Sequence, residues 1–240
     1  MKKLFFLFFS LGTLFIRSQT LSTSLTACYA LNGTGSEPIN NLTGTLSAVT
    51  PTVDRFNNAN SAMYFNGTTT SYIELPNSPL IKPNAISFSG WVKLNTLSSQ
   101  IIVFAHNGCV NYHEGYQIAL SNLGPGVSRF QIAKANNLCS PASKFYFSGT
   151  TSVVAQTWYH IGFYIGPDSL KLYVNGNLDG TMSNSNPITY NAAAKIYLGG
   201  TNLGFNLPLA GTMDNVRFYN RKLSGSEFNQ LYTSDPACVT

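Results

Sequence analysis

The chain has 240 residues, 44% of them hydrophobic and only 10% charged, with a formal net charge of +5. Lys2, Lys3 and Arg17 lie in the first stretch of the chain, and without them 11 basic residues face 9 acidic ones, a net charge of +2 with no Lys/Arg cluster. That balance lacks the electrostatic footprint of a nucleic-acid binder, and a length of roughly 220 residues beyond the leader suits one all-β domain.

Lys2-Lys3 and the apolar run Leu4 to Ile16 read as a secretory signal peptide over residues 1–18, cleaved near Ser18-Gln19, which leaves one domain over 19–240. The run is shorter than the about 20 apolar residues that a membrane-spanning helix needs. No second long apolar stretch follows, so no transmembrane segment is predicted and the protein is expected to be secreted or cell-surface associated. Leu25-Thr-Ala-Cys28 spells a lipoprotein cleavage box, but Arg17 and the polar Ser18 to Thr20 separate it from the apolar core, which favours the upstream cleavage over lipid anchoring at Cys28.

Short strand signals then recur between turn signals, the rhythm of a sandwich and not of βαβ units. The candidates are Tyr29–Leu31, Ala62–Phe65, Tyr72–Leu75, Ile86–Leu94 and Ile101–His106, then Tyr116–Ser121, Arg129–Ala133 and Lys144–Phe147. The polar, weakly patterned stretch Gly33 to Val53 reads as a long loop. From Trp158 the pattern sharpens. Trp158, His160, Gly162 and Tyr164 alternate with Tyr159, Ile161, Phe163 and Ile165, Gly166-Pro-Asp-Ser169 turns the chain, and Leu170, Leu172 and Val174 return on alternate positions, which predicts a β-hairpin. Asn66-Gly67, Asn175-Gly176 and Asp179-Gly180 are tight-turn dipeptides. Lys195–Leu198 and Met213–Tyr219 are the last strands, and Ser224-x-x-Glu227 is a capping box that starts one short C-terminal helix. The expected fold is all-β, two antiparallel sheets packed face to face.

The hairpin from Trp158 to Gly176 and the segment Gly211-Thr-Met-Asp-Asn-Val-Arg-Phe-Tyr-Asn-Arg-Lys-Leu-Ser224 together resemble the laminin G-like domains of the concanavalin A-like lectin superfamily. Asp54-Arg-Phe-Asn57, Ser61 to Gly67, Tyr72 to Leu75 and Ser87-Phe-Ser-Gly-Trp-Val92 agree with the early strands of those domains. The resemblance runs from about Tyr29 to about Tyr232 and implies a concanavalin A-like jelly roll. Four cysteines in a secreted chain point to disulfides, with three pairings open. Neighbouring first and last strands in the resembled topology favour Cys28–Cys238, with Cys109–Cys139 closing an inner loop worth roughly 3.5 kcal/mol. A zinc site lacks close Cys/His pairing apart from Cys109 and His113.

Retaining glycosidases on this fold need two carboxylates about 5 Å apart, and no two of the 9 acids share a strand at a spacing of four or five. Gly-x-Ser-x-Gly and His-Glu-x-x-His are also absent, so no enzyme is expected. The resemblance implies a structural calcium ion as one reading, with Asp214 as ligand and Asp54 or the carbonyls near Asn66-Gly67 in support. The other reading is an Asp214 that hydrogen-bonds a neighbouring turn, because Thr68, Thr69 and Thr70 stand where acids are common in the family. Candidate ligand residues are those of two rim loops: His106, Asn107, Tyr112 and His113 in the first, Asn202 and Phe205 in the second. Their rings can stack on a sugar and their amides and imidazoles can bond its hydroxyls. His160 reads as structural, and Trp91 and Trp158 as packing. The expectation is a non-catalytic module that binds an extracellular glycan; the alternatives are a protein-binding adhesion or surface-assembly module and, behind it, a glycan-active enzyme.

Overall fold

The structure, a computed structural model, describes residues 20–106, 115–136, 144–200 and 206–238. In chain order the strands are β1 Leu25–Tyr29, β2 Thr45–Ser47, β3 Val49–Thr52, β4 Ala62–Asn66, β5 Tyr72–Leu75, β6 Ile86–Leu94, β7 Gln100–His106 and β8 Tyr116–Gly124. They continue as β9 Val127–Ala135, β10 Lys144–Ser148, β11 Trp158–Ile165, β12 Ser169–Val174, β13 Asn177–Ser183, β14 Lys195–Leu198 and β15 Ala210–Tyr219, followed by helix α1 Gly225–Ser234. One sheet runs β13-β12-β11-β6-β15-β4-β3, with β1 also on β15, and the other runs β10-β9-β8-β7-β14-β5-β2. The two sheets make the expected antiparallel sandwich of concanavalin A-like jelly-roll type.

The hairpin β11–β12 shows why. Tyr159, Ile161, Phe163, Ile165, Leu170, Leu172 and Val174 all enter the central core, so one face of each strand is apolar at period two. Asn175 and Gly176 both have positive φ, 49° and 75°, the backbone that a tight two-residue hairpin turn requires. The opposite face of this sheet carries a second, smaller core, because α1 lies on it. The capping box forms: Ser224 Oγ accepts from the Glu227 amide at 3.3 Å, and Glu227 Oε2 accepts from the Ser224 amide at 2.8 Å. Phe228 then stacks on Tyr173 at 4.0 Å. A Cβ at Gly162 would lie 2.6 Å from Phe228, so the glycine of the hairpin motif is the seat of the helix.

Three local expectations change. Gly33 to Val53 is not all loop, since β2 and β3 lie within it. Both are outer strands with mostly exposed side chains and therefore carry no alternating apolar signal. The first strand is Leu25–Tyr29 and not Tyr29–Leu31, because Leu31 adopts a left-handed φ of 56°. Asp179-Gly180 is a bulge inside β13 and not a turn: Leu172 pairs with Gly180 and Tyr173 with Leu178, which leaves Asp179 as the extra residue. Its carboxylate accepts from Thr150 Oγ1 at 2.8 Å, from the Thr151 amide at 2.9 Å and from Thr151 Oγ1 at 2.7 Å. The Cys28–Cys238 disulfide forms across β1 and the C-terminal segment, while Cys109 and Cys139 lie outside the described residues. Among the described residues no helix is long and apolar enough to cross a membrane.

Candidate functional site

Strand pairing sets out the outer face of the first sheet in rows. Thr212, Lys93 and Trp158 form one row across β15, β6 and β11; Asp214, Trp91 and His160 form the next; Arg217, Ser89 and Gly162 the third. Asp214 and Arg217 share this face because β15 bulges between them. Asn215 takes a left-handed φ of 49°, and Val216 is turned into the core. Helix α1 covers the third row through Phe228, and its last turn reaches the second through Tyr232, 5.7 Å from Trp91 and 6.1 Å from His160. Beyond the helix end the first row stays open at Lys93 and Trp158, while the second is buried apart from the edge of Trp91.

That opening is a cleft of about 510 Å³ lined by Arg55, Phe56, Trp91, Trp158 and residues Tyr232 to Asp235, within the size range of small-ligand sites. Its second wall is the loop after β3. The Asp54 carboxylate holds this loop by accepting from the Phe56 amide at 2.8 Å, the Asn58 amide at 2.9 Å and Asn58 Nδ2 at 2.9 Å. Burial alone would push Asp54 up, but these hydrogen bonds, with Arg55 nearby, hold its carboxyl below the usual value. Phe56 is thereby presented at 67% exposure. Trp158 is half-buried, with Lys93 Nζ 5.3 Å from its ring centre. Trp91 is packed as expected, only 8% exposed, whereas Trp158 is a wall of the cleft as well as a strand residue.

Beneath the aromatic rings lies a charged cluster. Arg55 Nη1 donates to Asp214 Oδ2 at 2.6 Å and its Nη2 to Asp235 Oδ2. Arg217 Nη1 donates to Asp235 Oδ1 at 3.0 Å and to the Asn215 carbonyl at 3.2 Å. Burial pushes the Asp214 carboxyl up to about 7; Arg55 pulls against this, and Asp235 and Asp54 add to it. As placed, this donor set does not fit a calcium ion. Calcium wants six to eight oxygens, yet both Asp54 oxygens are engaged by the loop and a guanidinium already stands between Asp214 and Asp235. Asn66 and Gly67 do not line the hollow that Asp54 and Asp214 share. Among the described residues no group of three or more His, Cys, Asp or Glu is arranged to hold a metal.

His160 is fully buried, and neither ring nitrogen has a hydrogen-bond partner among the described residues. Burial, then Arg217 and Arg55, push it down to about 3, so it stays neutral when folded. In the unfolded chain it titrates near pH 6.5. The stability it contributes is complete above pH 6.5 and is lost as the pH falls toward 3, by up to about 1.4 kcal/mol per pH unit. Asp214 acts with the opposite sign between about pH 7 and its unfolded value of 3.8, because the folded state takes up that proton first. The two are separated by a His160→Met variant. Denaturant unfolding from pH 6 to 4 is expected to show wild type losing stability relative to the variant at about 1 kcal/mol per pH unit.

Of the residues singled out from sequence, His106 ends β7, while Asn107, Tyr112, His113, Asn202 and Phe205 lie outside the described residues. The cleft itself was missed. Its one sequence signal was an aromatic residue, Phe56, directly after the Asp54-Arg55 pair in a polar stretch.

A jelly-roll sandwich with an open aromatic cleft on one sheet has the architecture of a lectin-like binding module. The chain belongs to the concanavalin A-like lectin/glucanases superfamily, whose sequence profile matches residues 66–228. No curated protein matches it. Among solved structures it is similar to domain 4 of AbnA, a GH43 extracellular arabinanase from Geobacillus stearothermophilus, solved with arabinotriose. The TM-score is 0.67 at 22% identity, over 88% of this chain and 98% of that one. It is also similar to the binding domain of Paraclostridial Mosquitocidal Protein 1, with TM-score 0.68, 16% identity and coverage of 89% and 52%. The binding domain of botulinum neurotoxin serotype G gives 0.63, 13%, 88% and 51%. The chain spans about half the length of those two toxin domains.

Proposed function

We propose that this protein is a secreted, non-catalytic module that recognises an extracellular glycan in the cleft between Phe56, Trp91, Trp158 and Tyr232. The observation that carries this reading is that an exposed and a half-buried aromatic side chain, Phe56 and Trp158, line one cleft. Aromatic faces pack on the apolar face of a sugar ring, while Thr233, Ser234 and Lys93 offer polar groups to its hydroxyls. The rim-loop residues His106, Asn107, Tyr112, His113, Asn202 and Phe205 are proposed as a second contact region. The signal peptide over 1–18 and the Cys28–Cys238 bridge support an extracellular setting.

A non-catalytic role is supported by the work that the acids already do. All eight described carboxylates are engaged: Asp54, Asp179, Asp214, Asp235 and Glu227 as given above, Glu37 by backbone amides, Glu74 by Lys195 and Tyr197, and Asp168 by Lys222 and Tyr164. None is left as a matched acid and nucleophile.

A glycan-array screen of the oxidised protein tests the proposal. Binding to a defined glycan class is expected, competed by free sugar, and weakened about tenfold or more in Trp158→Ala and Phe56→Ala. Binding lost instead through Asn107, Tyr112 or His113 substitution would place the site on the rim. An array without binders would favour the protein-adhesion alternative.

A further inference from the structure

We infer that Arg55 is the resident cation of this cleft, so that the domain assembles its ligand-binding wall without a divalent metal ion. Three chain segments remote in sequence meet at this one side chain. Asp214 comes from the bulge of β15, Asp235 from the end of α1, and Arg55 itself from the loop held by Asp54. The guanidinium bonds Asp214 and Asp235 through its two terminal nitrogens. Its Cζ also lies over the rings of Phe56 and Trp91, 4.3 and 4.4 Å from their centres.

The second set of contacts distinguishes this arrangement from a metal site. A divalent ion could balance the two carboxylates, but it has no flat face to pack against two aromatic rings. A guanidinium has such a face, keeps its charge at any working pH, and reaches two acceptors from one plane. Its side chain is only 9% exposed, and Asp214 and Asp235 are 3% and 8% exposed. The charge is therefore held where water screens it poorly and where losing it leaves the buried Asp214 carboxylate without a cation. Arg217 completes the balance from the other side of Asp235. An incoming calcium ion would have to displace a guanidinium that also supports Phe56 and Trp91. On the glycan reading, on which this clause rests, ligand capture is equally independent of divalent cations.

The test is thermal melting of the whole oxidised protein, without sugar, in millimolar calcium and in excess chelator. Wild type is expected to melt at the same temperature in both. Arg55→Ala in chelator is expected to melt lower by roughly 10 °C, and calcium is expected to raise it again by neutralising the carboxylates left behind. Arg55→Lys, which keeps the charge but loses the flat two-pronged fork, should fall between. A wild type that loses melting temperature in chelator overturns the inference, and so does an Arg55→Ala protein that melts with wild type and ignores calcium. If Arg55→Ala does not fold, the wild-type comparison decides alone. Because no sugar is present, failure of the glycan reading leaves this result intact. Chelator-sensitive glycan binding with unchanged melting would overturn only the clause on ligand capture.

Discussion

Replacing Cys28 and Cys238 together by serine is expected to lower the unfolding free energy by about 5 kcal/mol, seen as a large drop in the guanidinium midpoint. The bridge spans 210 positions of the chain, and in the chain-entropy model a loop of that length sits near the top of the range for a single disulfide. Local effects point the same way. Residues Asp235 to Cys238 leave α1 and pass over Arg217, whose Nη2 donates to the Pro236 carbonyl and whose Nη1 bonds Asp235. Releasing Cys238 frees that segment to move away from the cleft, so the serine variant should also lose affinity for any ligand bound between Trp158 and Ser234. A double-serine protein that unfolds together with oxidised wild type would mean that Arg217 and Asp235, not the bridge, hold the C-terminal segment.

Glu37→Ala is expected to cost about 3–5 kcal/mol, and Glu37→Gln nearly as much. Glu37 is 1% exposed. Its Oε1 accepts from the Cys28 amide at 3.1 Å and the Ile39 amide at 2.9 Å, and its Oε2 from the Asn40 amide at 2.8 Å and the Leu42 amide at 3.2 Å. Four backbone donors thus converge on one acceptor-only group, and alanine leaves them facing each other. Glutamine has the right shape but supplies one acceptor oxygen, so its amide hydrogens point at two of the four donors. Denaturant unfolding of the two variants separates this account from a simple loss of side-chain packing, for which glutamine would be close to wild type.

Most of the architecture was legible in the chain because it rests on local rules. The alternation of Tyr159, Ile161, Phe163 and Ile165, the Asn175-Gly176 turn and the Ser224–Glu227 capping box each state their structure within a few residues. β2 and β3 were illegible for the converse reason. They are outer strands whose exposed Thr, Ser and Pro residues carry no period-two apolar signal. Asp179-Gly180 shows the limit of dipeptide reasoning, since the same two residues serve a bulge when partner strands continue on either side. The charged cluster was hidden more deeply. Asp214 stood out as an acid in the last strand, but its partner Arg55 lies 159 positions away and Asp235 belongs to the chain end beyond the helix. Only the bulge at Asn215, which sets Asp214 and Arg217 on one face, brings these groups together, and a period-two reading of β15 assigns them to opposite faces. Trp158 was read as packing because it opens a strand motif. That it also faces a cleft depends on where α1 stops.

On the proposed reading a glycan sits in this cleft. The chain has only 2 tryptophans, Trp91 and Trp158, and both line it, so the indole N–H signals of ¹⁵N-labelled protein report on the site directly. Titration with an oligosaccharide that binds on the array is expected to move the Trp158 indole signal saturably, with a smaller shift at the more buried Trp91. A glycan that binds with the same affinity while both indole signals stay in place would contradict the account and move the site to the rim loops.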